Sequence, residues 1–205
     1  YGKLNEDWGV LGYYSTSDRD NMEDGDGNEI YGTAADQDLL FVKASGNLTE
    51  NQYASLSYEK REEEGEFSAR PNWVVLEGAA LYPSEAERDT LVANYRLDYS
   101  AMVYLEATAY NTSSSFRGGR FDWLANIDTY GFDIRNTSET TNHVFTYGVD
   151  YRNDEVESGP AEGAVENAEE GSVLGVYAQA HSAINPELTL SYGVCFDDYD
   201  FQQDI

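Results

Sequence analysis

Two histidines, His143 and His181, a single cysteine, Cys195, and 39 carboxylates against 12 basic side chains are the groups in this chain whose chemistry could exceed holding a fold. A neutral imidazole is the usual axial ligand of haem iron, so each histidine raises a haem-ligand reading. Cys195 cannot form an internal disulfide and has no neighbours at metal-ligand spacing; it reads as a small strand residue. Asp24, Asp26 and Asn28 have the spacing that opens a calcium loop, but Glu29 stands where that loop requires glycine, so the motif fails. The acidic stretches from Asp18 and from Glu155 to Glu170 therefore read as solvated loops or as adaptation to salty surroundings. No phosphate-binding loop, dinucleotide glycine fingerprint or HExxH pair occurs. No catalytic residue, metal site or cofactor is expected, and the chain does not read as an enzyme.

The elements that carry these residues are strands. Seventeen Tyr, 18 Gly and only 4 Pro describe an aromatic-rich chain, and no apolar run approaches the ~18 residues of a membrane helix. A net charge of −27 opposes binding to nucleic acid or to an anionic lipid surface. The chain opens at Tyr1 and closes at Ile205 in strand-like sequence without a signal peptide, so both ends are expected to be cuts.

Period-two alternation predicts nine strands, at 7–16, 38–48, 52–62, 89–99, 102–113, 124–136, 142–154, 172–182 and 188–201. They are longer than the ~5–6 residues of a soluble strand and match the ~9–11 of a tilted membrane strand. Connectors alternate between short (49–51, 100–101, 137–141, 183–187) and long (17–37, 63–88, 114–123, 155–171). That sorting is expected of an outer-membrane barrel, with tight periplasmic turns and larger extracellular loops. The fold class is thus all-β: part of an antiparallel transmembrane β-barrel, with residues 1–205 forming one barrel segment.

Parity separates the faces. Leu188, Leu190, Tyr192, Val194 and Phe196 oppose Thr189, Ser191, Gly193, Cys195 and Asp197; Phe145, Tyr147, Val149 and Tyr151 oppose Thr146, Gly148, Asp150, Arg152 and Asp154; Ala54, Leu56 and Tyr58 oppose Ser55, Ser57, Glu59 and Arg61. The apolar set should meet lipid and the polar set the lumen. A soluble sheet with one wet face gives the same alternation, but neither strand length nor loop sorting favours it. Lys43, Arg61, Arg96, Arg135 and Arg152 fall on the polar parity among Glu59, Asp98, Glu106, Asp133 and Asp150, predicting a lumen charge ladder in which Arg61 and Arg152 stand nearest the outer end. Tyr13, Tyr14, Tyr58, Tyr99, Tyr104, Tyr151 and Tyr199 lie near strand ends, where rings anchor at membrane interfaces. Since hydrocarbon does not tolerate open sheet edges, further strands are expected to close the barrel.

On these strands, HVFTYGVDYRNDEVE from His143 to Glu157 resembles a recurrent strand of TonB-dependent outer-membrane receptors, particularly those for siderophores and haem. GVYAQ, LTL and FDDYDF between Val173 and Phe201 resemble a hairpin of the same family, although Cys195 stands where arginine is common and Ala180 and His181 replace an acidic pair. LSYEKREEEG from Leu56, RDTLVANY from Arg88 and IDTYGFDIRNTS from Ile127 are weaker echoes. The resemblance implies a barrel of about 22 strands in a Gram-negative outer membrane, a plug domain lying outside this chain, a ferric siderophore or haem as transported ligand, and energy delivered by the TonB complex through the plug. Ligand would dock on extracellular loops and lumen side chains. His143 and His181 sit beside short turns, at the periplasmic end, so interfacial or plug-facing contact is expected of them rather than ligand capture. A passive porin-like channel is the alternative, and a soluble β-rich binding module a third.

Overall fold

The computed structural model describes residues 1–68 and 78–204. Its main element is one antiparallel sheet of ten strands: β1 (Gly2–Lys3), β2 (Trp8–Arg19), β5 (Ala35–Thr49), β6 (Gln52–Phe67), β7 (Tyr82–Ser100), β8 (Val103–Gly118), β9 (Trp123–Glu139), β10 (His143–Pro160), β11 (Asn167–Asn185) and β12 (Leu188–Asp204). β3 (Met22–Glu23) and β4 (Glu29–Ile30) form a separate small hairpin between β2 and β5. Among the described residues every long strand pairs only with its neighbours in sequence, so the sheet is an up-and-down meander with both edges open.

The alternation in the sequence fixes the register. One row of paired residues crosses nine strands as Trp8, Gly46, Ala54, Tyr95, Ala107, Ile134, Val149, Val176 and Phe196. A slip of one residue in β9 would put Asp133 or Arg135 into that row and Ile134 on the opposite face. The apolar face is uncovered: Leu56 is 52% exposed, Val194 72% and Phe196 67%, and among the described residues the buried apolar side chains are Ala35 and Ala180. A soluble sheet buries such a face against a second layer. Among the described residues there is no second layer, and the exposed belt is suited to lipid.

All nine expected strands are present, and most extend further at the loop end than hydrophobic alternation indicates. The stretch expected as a long loop at 114–123 is strand up to Gly118 and again from Trp123; that at 155–171 is strand to Pro160 and from Asn167. Ladder hydrogen bonds need no apolar side chain, so pairing continues through polar sequence once register is set. The turn at 119–122 is held by positive φ at Gly119 (78°) and Asp122 (48°), with the Asp122 carboxylate clasping Arg117 at 2.7 and 2.8 Å. Loop 17–37 carries the β3–β4 hairpin, and loop 63–88 lies partly outside the described residues. The opposite connectors, at 50–51, 101–102, 140–142 and 186–187, are tight.

Candidate functional site

The polar face holds the groups able to contact a ligand. Low on this face, toward the tight turns, one row reads Tyr53, Arg96, Glu106, Arg135, Gly148, Tyr177, Cys195. Arg135 donates to Glu106 at 3.0 Å and lies 3.8 Å from Asp133, which accepts from the Tyr177 hydroxyl at 2.7 Å. Arg96 lies over the Tyr53 ring, 5.2 Å from its centroid. Higher up, Arg88 donates to Glu59 at 2.8 Å, Arg61 to Glu63 at 3.0 Å, and Arg152 meets Asp154 at 2.8 Å. Alternating charge on adjacent strands thus builds a ladder of cross-strand and along-strand pairs, exposed enough that each contributes modestly. Lys43, Arg61, Arg96, Arg135 and Arg152 all share this face with Glu59, Asp98, Glu106, Asp133 and Asp150, as their spacing predicts.

Glycines flatten parts of the wall. A Cβ at Gly131 would stand 2.6 Å from the Tyr110 hydroxyl, and one at Gly148 2.7 Å from that of Tyr177, because each ring lies across the neighbouring strand where no side chain opposes it.

The histidines part company. His143 lies on the apolar face, stacked on Phe145 at 5.7 Å with Nδ1 2.8 Å from the Ser182 hydroxyl. His181 lies on the polar face, its Nδ1 2.7 Å from Ser191 Oγ. Both stand at the tight-turn end, far along the strands from the loops. Of the expected girdle tyrosines, Tyr14, Tyr58 and Tyr151 are on the apolar face, but Tyr13, Tyr104 and Tyr199 are on the polar one. Nearness to a strand end does not settle a face; parity does. Tyr147 and Tyr192 share the apolar face, as their parity predicts, and so do Tyr95 and Tyr130, which the same counting in twos along β7 and β9 would have found. The Asp24 turn is closed internally: its carboxylate accepts from the Asn28 side chain and from the backbone of Asn28 and Asp26, which holds it below the ordinary carboxylate range. Among the described residues no group of His, Cys, Asp or Glu is arranged to hold a metal ion.

Above the apolar belt the two faces exchange character. The outward parity there reads Asp38, Glu62, Glu87, Ser115, Asn126, Glu157 along one row and Lys60, Asp89, Ser113, Asp128, Glu155, Glu170 along the next. The inward parity at the same level carries Phe116, Ile127 and Val156, and the strip continues downward through Phe201 to Val173, which pairs with Arg152 and Tyr199. Two open cavities of about 310 and 360 Å³ lie along this inward strip, the first between Arg61, Arg88, Phe116 and Ile127, the second between Arg152, Val156, Val173, Tyr199 and Phe201.

No family model and no curated relative matches the chain. Solved structures do. The FrpB iron transporter of Neisseria meningitidis superposes with a TM-score of 0.82 at 15% identity, over 96% of this chain and 37% of its own. The copper transporter OprC gives 0.82 at 13% identity, over 97% and 33%. A double mutant of the Serratia marcescens hemophore receptor HasR, in complex with its hemophore HasA and haem, gives 0.79 at 21% identity, over 95% and 30%. The chain therefore spans about a third of the length of these proteins. Its fold is that of the β-barrel wall of TonB-dependent outer-membrane receptors, the family whose strand motifs the sequence resembles.

Proposed function

We propose that this chain is one barrel segment of an outer-membrane receptor that takes up an iron complex, a ferric siderophore or haem, with a plug domain and the closing strands supplied by the rest of the protein and energy supplied through TonB. The observation that carries this reading is the combination of an uncovered apolar row crossing nine strands with an ion-paired opposite face, in a sheet that superposes on an iron transporter along almost its whole length. In this orientation the tight turns face the periplasm, and the extended strand ends with their loops stand outside the cell. Ligand meets the inward-facing side chains of those ends, and no bond is made or broken. The likeness to a copper transporter adds copper to the metals worth testing.

Growth of a deletion strain on haem or on single ferric siderophores as sole iron source tests the proposal. The expected result is loss of growth on one of them, restored by the full-length gene and abolished when TonB is removed. Uptake that persists without TonB and falls off with solute size would replace the reading with a passive channel.

A further inference from the structure

The inward apolar strip has no role in spanning the membrane. It lies above the belt, where the rows that alternate with it and point outward carry Glu62, Glu87 and Glu157, so lipid does not account for Ile127 (44% exposed) or Phe116 (47% exposed), and among the described residues no second layer covers them. Ile127 and Val156 are direct cross-strand partners, and they join the two cavities into one wall. Cavities of this size suit a small ligand with an extended apolar surface.

Charge narrows the class. The arginines flanking the strip are already matched: Arg88 with Glu59, Arg61 with Glu63, Arg152 with Asp154. A complex with anionic groups on every side would have to displace a carboxylate at each, and a compact hydrophilic chelate would leave the apolar side chains in water. Resting on the uptake reading above, we infer that the imported complex presents an extended apolar face with its few anionic groups confined to one edge, and that it seats on the Ile127 and Val156 wall between the Arg88–Glu59 and Arg152–Asp154 pairs.

The test compares two probes, haemin and a trianionic ferric tris-catecholate, by equilibrium binding to the full-length protein in isolated outer membranes and by growth of the complemented strain. Haemin is expected to bind more tightly. Ile127→Asp and Val156→Asp each lower its affinity by about tenfold or more, while Glu62→Gln and Glu157→Gln, on the outward parity and outside both cavities, leave it unchanged. Because a carboxylate introduced on this wall could impair assembly, Ile127→Ala and Val156→Ala accompany these variants and should weaken haemin binding by roughly threefold, with heat-modifiable gel migration reporting a folded barrel. Tighter binding of the tris-catecholate, or unchanged haemin affinity in all four wall variants, overturns the inference while leaving uptake standing. A protein that binds neither probe and supports growth on neither refutes this inference and counts against the uptake reading itself.

Discussion

Gly148 and Gly175 face the same lumen one strand apart, yet the space above them differs in kind. A Cβ on Gly148 would stand 2.7 Å from the backbone oxygen of Ile134 and 2.7 Å from the Tyr177 hydroxyl, with the ring carbon beside it at 2.8 Å. Neither neighbour can yield without shifting the ladder or lifting the ring from its hydrogen bond to Asp133. At Gly175 the obstruction is the Asp150 carboxylate, 2.7 Å away at the end of a side chain that can rotate. Gly148→Ala should therefore destabilise the folded barrel by about 1–3 kcal/mol, and Gly175→Ala should change it by less than about 1 kcal/mol, as read from urea unfolding midpoints in lipid. Equal effects would show that ring packing over the glycine is not what matters. Asp24 gives a second prediction. Its carboxyl is held low by the Asn28 amide and the turn backbone, so its contribution to the β3–β4 turn is complete above the ordinary carboxylate value of 3.8 and is lost only as pH falls below that, through the lowered value. Hydrogen exchange across Met22–Ile30 should stay slow from neutrality down to that range and quicken below it, and Asn28→Ala should move the onset upward in pH. At this scale the sequence was legible where parity could be counted, as for the arginine ladder. It was misleading where only nearness to a strand end was used, as for Tyr13, Tyr104 and Tyr199.

Strands reveal their existence through alternation and hide their ends. The apolar face of β10 runs from Phe145 to Tyr151, and there the hydrophobic signal stops, but the ladder goes on to Pro160 because Glu155, Glu157 and their partners pair as well through the backbone as valines would. At ~3.3 Å per residue, an extension of this kind carries the sheet well clear of the hydrocarbon. Two outward-facing positions separate these zones. In a Cys195→Ser background, Glu157→Cys should react with a membrane-impermeant maleimide on intact cells and Leu56→Cys should not. Labelling of Leu56→Cys at the same rate would mean that the apolar belt does not sit in lipid. Tight turns were located correctly from sequence, since they are bounded by strong alternation on both sides, whereas 114–123 and 155–171 looked like loops because the strand ends within them carry single apolar residues, Phe116 and Val156, too few to show an alternation.

For the whole molecule, the net charge of −27 is not spread evenly. The ion-paired lumen is nearly balanced, and the surplus gathers on the outward parity above the belt, where Lys60 and Arg117 are the chief basic residues among Glu62, Glu64, Glu85, Glu87, Asp89, Glu155 and Glu157. Like charges brought together by folding repel over a distance that shrinks from ~30 Å at 0.01 M salt to ~8 Å at 0.15 M. Thermal stability of the purified barrel should therefore rise with ionic strength over that interval, and flat or falling stability would show that the collar is compensated by groups elsewhere. No arithmetic on composition could have shown this segregation, because it depends on which parity each carboxylate occupies. The meander itself carries a different implication. Since each long strand touches only its two neighbours in sequence, a hairpin is a self-contained unit of circumference: gain or loss of one such unit changes the girth of the barrel while preserving every other pairing and the side on which each loop emerges. Loss of a single strand would either set its former neighbours parallel or, if they paired antiparallel, send every later loop to the wrong side of the membrane. Lineages of this architecture can widen or narrow by duplication only in steps of two strands.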